Sequence, residues 1–147
     1  MTDSSTTLRP TTKGRQFLLS LGVGFIANNL VGTLVAVLIL NPLLNPMFGT
    51  TIRTAEQGLQ MPSLLAGYFV LTAMMVWGYR YFNYQAVWWW KGIVWGFLTG
   101  LIIFLAGHLI VAGWSVLPPT PMLISGVLDI LSTVATGLVI AYFYRHG

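Results

Sequence analysis

Long apolar stretches, separated by short clusters of proline, asparagine and charge, dominate this chain. Four of them stand out, at residues 17–40, 63–82, 92–112 and 122–144. A helix needs about 20 residues to cross the hydrocarbon core of a bilayer, and each run is long enough. Inside a membrane the backbone must satisfy its own polar groups, and a β-barrel would show short alternating segments instead. The pattern therefore predicts an all-α, four-transmembrane-helix bundle. Asn41-Pro42 and Asn45-Pro46 are expected to stop the first span. Pro62 falls in the first turn of the second, and Pro118, Pro119 and Pro121 separate the third from the fourth.

Residues 1–16 are polar, rich in Ser and Thr, and carry Arg9, Lys13 and Arg15. They read as a flexible basic tail, leaving 17–147 as the transmembrane domain. The first apolar run is 24 residues long, against about 7–15 for the core of a cleaved signal peptide. It is read as a retained span.

Charge turns this list of spans into a topology. The tail, the loop between spans two and three (Arg80, Lys91) and the C-terminus (Arg145) hold six of the seven Lys and Arg. The other side holds only Arg53, followed by Glu56. Cationic loops stay in the cytoplasm, so both termini are expected there, in a multi-pass protein of the cell membrane. The net charge of +4 is thus a topology signal and not a nucleic-acid stripe. Three cations between Arg9 and Arg15 would each favour an anionic leaflet by about 1 kcal/mol.

Composition agrees. Hydrophobic residues make up 56% of the 147 positions and charged residues only 7%, where a soluble domain carries about 25%. No cysteine is present, which excludes disulfides, thiol catalysis and cysteine-bound metal. Trp77, Tyr79, Tyr81, Phe82, Tyr84, Trp88, Trp89, Trp90 and Trp95 crowd the loop between spans two and three. They read as an interfacial belt, because three consecutive Trp point in three directions and cannot line one pocket.

Packing signals lie in the small residues. Gly92, Gly96 and Gly100 form two overlapping GxxxG repeats, with Thr99 and Gly107 in or beside the same sector. Gly24, Asn28, Gly32 and Ala36 make a comparable row in the first span. Spans one and three are expected to meet along these rows, with Asn28 hydrogen-bonding across. The competing reading puts one row at an oligomer interface.

Two ionisable side chains fall well inside the spans, Asp129 and His108. Both belong to the outer half, so a contact is geometrically permitted. Ser125, Asp129, Ser132 and Thr136 lie within about 60° on a helical projection, with Thr133 just outside. A carboxylate in the bilayer usually faces a bundle interior or a cavity. Three roles fit it. Asp129 locks the bundle through His108, Asn28 or a hydroxyl; or the stripe lines a path and Asp129 binds a cation or proton; or His108 and Asp129 hold a ligand or act as a general base. His146, at the terminus, is incidental. No HExxH, phosphate-binding Gly loop, paired carboxylates or nucleophile elbow is present. No cofactor, metal site or catalytic residue is expected, although a single-His contact to haem or chlorophyll through His108 stays open.

The NPLLNP exit from the first span, the Gly-rich third span and the lone Asp in LDILSTVATGL of the last resemble small bacterial four-helix integral membrane proteins of unknown function. That resemblance covers most of the chain, through loose motifs, and carries over no functional residue. Small four-helix multidrug exporters hold a Glu in their first span, where this chain has Asn28 and Asn29. The sequence thus favours a non-catalytic membrane subunit or scaffold, partnered by lipids and by further copies or other membrane subunits. A small oligomeric transporter or channel is the alternative, and a membrane-embedded ligand-binding protein or enzyme the third reading.

Overall fold

Helices form wherever the apolar runs lie, and most continue past the polar punctuation at their ends. The computed structural model describes residues 11–49, 58 and 60–145, with side chains from Gly14 onward. In chain order the elements are α1 (Thr11–Val35), a π-helical turn (Ala36–Leu40), α2 (Asn41–Phe48), α3 (Met61–Tyr79), α4 (Trp88–Gly100), a second π-helical turn (Leu101–Ala106), α5 (Gly107–Trp114) and α6 (Pro119–Tyr144). Among the described residues there is no strand. The pieces join into four rods, Gly14–Phe48, Met61–Tyr79, Trp88–Trp114 and Pro119–Tyr144, each long and apolar enough to cross a membrane. The fold is all-α, and the chain is built as a multi-pass membrane protein. Residues 1–10, Arg53, Glu56 and His146, on which part of the tail and charge reading rests, lie outside the described residues.

The two ends of the first rod differ most from expectation. The first helix starts at Thr11, inside the segment read as a tail, because nothing but Gly14 weakens a helix between Thr11 and Phe17. It also runs through both Asn-Pro pairs. Pro42 has no N–H to donate, and its ring clashes with a regular preceding turn. The π-turn relieves this: the Asn41 N–H reaches back to the Ala36 carbonyl five residues earlier, which widens the turn. The rod ends instead at Gly49, whose φ of +57° is left-handed backbone that only glycine adopts cheaply.

The fourth rod is the hub. α6 makes its most extensive interface with α4 and its next with α1, while α3 packs mainly on α1. Spans one and three therefore do not meet along their glycine rows, as the spacing had suggested; the third-span row is pressed against α6, and the first-span row faces α3 and α6 together. A Cβ at Gly92 would lie 2.8 Å from the Gly137 carbonyl, and one at Gly96 would overlap the Thr133 carbonyl. A Cβ at Gly100 would overlap the Thr133 hydroxyl. In the first rod, a Cβ at Gly24 would face Thr72 at 3.2 Å and Thr136 at 3.6 Å. Glycine spacing marks a face that admits a close backbone, but not which neighbour fills it.

Polarity is distributed in reverse of a water-soluble bundle. Ile102 is 72% exposed and Leu18 67%, while Asn28, Thr72, Thr133 and Thr136 are fully buried. With lipid outside, apolar side chains gain nothing by hiding, and interhelical contacts fall to small and hydroxylated residues. A compact apolar cluster of Leu71, Met75, Val76 and Tyr79 from α3 with Ile140 and Ala141 from α6 fills the other half of the bundle.

Candidate functional site

His108 and Asp129 do come together, through a device that helical periodicity conceals. On a regular helix at about 100° per residue, His108 would sit about 160° from Gly92, facing away from α6. The π-turn at Leu101–Ala106 takes up one extra residue and rotates everything beyond it back by about 100°. His108 thereby returns to the α6 side, where a Cβ at Gly126 would meet its Cβ at 3.4 Å. Gly107 is turned away, with nothing within 4 Å of a Cβ built there.

The imidazole is held at both nitrogens. His108 Nδ1 lies 2.7 Å from the Phe104 carbonyl oxygen, and a carbonyl only accepts, so this nitrogen carries the proton. His108 Nε2 lies 3.6 Å from Asp129 Oδ2, beyond hydrogen-bond range but close for two charges. With Nδ1–H committed to the carbonyl, Nε2 is the nitrogen that faces the carboxyl group. Ser125 Oγ donates to the same Asp129 Oδ2 at 3.3 Å. The two side chains keep 24% and 16% of their exposure, so the pair reaches the edge of the bundle.

The remaining hydroxyls do not extend this cluster into a path. Ser132 donates to the Asp129 carbonyl at 2.8 Å, Thr133 to the Ile130 carbonyl at 2.9 Å and Thr136 to the Ser132 carbonyl at 2.8 Å. Each is spent on its own helix. They also face different neighbours. Ser125 and Asp129 look toward His108, Thr133 toward Gly96 and Gly100, and Ser132 and Thr136 toward Gly32 and Gly24. What projects as one stripe is divided among three interfaces.

Asn28 bonds neither Asp129 nor the third span. Its Nδ2 donates to Thr72 Oγ1 on α3 at 3.3 Å, and Thr72 donates onward to the Tyr68 carbonyl at 2.8 Å. Its Oδ1 is buried without a partner. Tyr68 is the residue that the sequence reading passed over. Its hydroxyl would lie 2.9 Å from a Cβ at Gly32, so the missing side chain makes room for the phenol. The signal was a lone tyrosine in the middle of an apolar run, whose hydroxyl needs a polar neighbour.

The chemistry available here is narrow. A nucleophilic serine needs its hydroxyl on a basic imidazole nitrogen; Ser125 instead donates to the carboxylate, and Nδ1 of His108 is tied to a carbonyl. Among the described residues, no group of three or more His, Asp or Glu lies together to hold a metal ion. The pair can carry a proton or a charge, and it can bind two helices together. Comparison with known proteins finds no match to this chain among family models, curated proteins or solved structures.

Proposed function

We propose that this chain is a small, non-catalytic subunit or scaffold of the cell membrane, whose intramembrane polar groups hold its helices in register. The observation that carries this reading is the closed hydrogen bonding of α6: Ser132, Thr133 and Thr136 all return to their own helix and are buried. A conducting stripe would present such hydroxyls to a lumen. In this reading the His108–Asp129 contact fastens α5 to α6, and the lipid-facing apolar surface meets membrane lipids, a second copy or other membrane subunits. Asp129→Asn tests it. The reading predicts a lower thermal midpoint, a loss of about 1–2 kcal/mol, and no proton- or cation-driven flux in proteoliposomes of the wild-type protein. A stable variant that abolishes a measurable wild-type flux would contradict it and favour an oligomeric transporter, the alternative that the pair's residual exposure supports.

Both termini belong on the cytoplasmic side in this proposal. Its support is the convergence of Arg80, Lys91 and Arg145 beside Gln16 at one end of the bundle, as expected of cationic cytoplasmic loops. The chain has no cysteine, so single substitutions can be labelled without a background. Asn83→Cys should react from the cytoplasmic face only and Ser115→Cys from the opposite face only. The reverse pattern would invert the map.

A further inference from the structure

A cavity lies away from the Asp129 site, at the end where α3, α4 and α6 meet. It measures about 590 Å³, and its walls include Arg80, Lys91 and Arg145 together with Tyr79, Trp88 and Tyr144. The geometry points to a binding site for the phosphate headgroup of an anionic phospholipid. This inference goes beyond the structural role proposed above and stands whether or not that role holds.

Charge is the first argument. The three cations come from three separate stretches of chain, and among the described residues Asp129 is the only acid. Asp129 lies sixteen residues before Arg145 on a continuous helix, about 24 Å away at 1.5 Å per residue. That is far beyond the reach of an ion pair, about 4 Å. Two of the cations rest on aromatic faces instead of carboxylates: Lys91 Nζ sits 5.2 Å from the centre of the Tyr79 ring, and the Arg145 guanidinium 4.1 Å from that of Tyr142. Such contacts position a cation without neutralising it.

Helix dipoles do not cancel the excess. Arg80 and Arg145 follow the C-termini of α3 and α6, each worth about half a negative charge. The N-terminus of α4, at Trp88, contributes about half a positive charge and carries no side-chain cap. Three unit charges, less two halves and plus one half, leave the mouth at about +2.5. An anion is the missing partner.

The second argument identifies its source. Arg80 also closes an adjoining groove of about 430 Å³, whose other walls include Phe17, Leu18 and Trp77. A cationic chamber and an apolar channel that share one arginine match a headgroup and its acyl chain. A free phosphate would use the chamber and leave the channel without purpose.

The test uses the full chain in phosphatidylcholine vesicles, with cardiolipin added, with inorganic phosphate added, or with neither. The readouts are lipid retained in native mass spectra and the thermal unfolding midpoint. Wild-type protein is expected to retain cardiolipin over phosphatidylcholine and to unfold at higher temperature with it. Lys91→Gln should bind about fivefold more weakly, the effect of one cation at an anionic surface. Arg15→Gln, at a cation outside the cavity walls, should weaken retention clearly less than Lys91→Gln, since it removes only diffuse attraction to an anionic leaflet. Arg80 and Arg145 keep that end cationic when Lys91 alone is replaced, so the single Lys91 substitution leaves the topology signal standing and decides the matter. Equal losses from Lys91→Gln and Arg15→Gln would reduce the site to diffuse surface charge and overturn the proposal. Equal protection by inorganic phosphate would overturn it in favour of a soluble anion, and no preference for cardiolipin would overturn it outright.

Discussion

Gly96→Ala is expected to lower stability by about 2 kcal/mol, although alanine is the better helix former. The change gains at most about 1 kcal/mol of helix propensity. Against that, the new methyl would overlap the Thr133 carbonyl and stand 2.6 Å from the Val134 Cα. Both are backbone atoms of the hub helix, and neither can swing aside as the end of a side chain would. Overpacking of this kind costs about 1–3 kcal/mol, toward the upper end where only a shift of whole helices relieves it. Gly96→Val should go further and detach α4 from α6. Gly107→Ala is the matched control: nothing lies within 4 Å of its Cβ position, so the propensity gain is unopposed and stability should hold or rise slightly. Thermal unfolding of the three variants in one lipid composition checks the ordering.

Trp95→Ala is expected to have the second large effect, by releasing the second span from the third. These two spans touch little elsewhere, and α3 and α4 share only a small interface. Trp95 supplies a hydrogen bond and an aromatic contact across it. Its indole lies over Gly78, packs against Tyr79 and Phe82, and donates from Nε1 to the Met75 carbonyl at 3.2 Å. In a soluble core, Trp→Ala costs about 3–5 kcal/mol. In a bilayer the hydrophobic transfer part falls away, leaving lost packing at about 2–3 kcal/mol. Trp95→Phe keeps a ring in place and gives up one hydrogen bond, worth about 0.6 kcal/mol on average in membranes. A cross-link between spans two and three that forms in the wild type and in Trp95→Phe, but fails in Trp95→Ala, is the expected result.

Trp95 also illustrates what a sequence can and cannot tell about such a bundle. It belongs to an aromatic run in which Trp88, Trp89 and Trp90 are well exposed, as a belt requires, while Tyr79 is buried in the core and Phe82 packs against it. Composition alone gives no reason to single out the one indole that turns inward. The four spans were legible because about 20 apolar residues leave the backbone one option. The close-packing faces of Gly92, Gly96 and Gly100 and of Gly24 and Gly32 were legible too, since a missing Cβ at spacing four marks a face. Their partners, α6 for the first set and α3 with α6 for the second, were not: periodicity describes one helix at a time. The π-turns were hidden for another reason. Nothing in the residues 101–106 themselves announces an extra residue in the turn, yet that turn decides whether His108 or Gly107 faces the hub. Asn41-Pro42 misled in the opposite sense, because a widened turn lets proline continue a helix that it would normally end. Tyr68 was missed because a phenol in an apolar run reads as bulk until the glycine beneath it is seen.

The central claim is that the polar groups within the membrane fasten helices together, with His108 and Asp129 as the principal clasp. A double-mutant cycle on these two residues, His108→Ala and Asp129→Ala singly and together, followed by reversible unfolding in a bilayer mimic, tests it most directly. The account predicts a coupling of about 1 kcal/mol, within the range found for interhelical polar contacts in membranes. Purely additive losses would contradict it, since two side chains that approach to 3.6 Å cannot be energetically independent if they hold the third rod to the fourth.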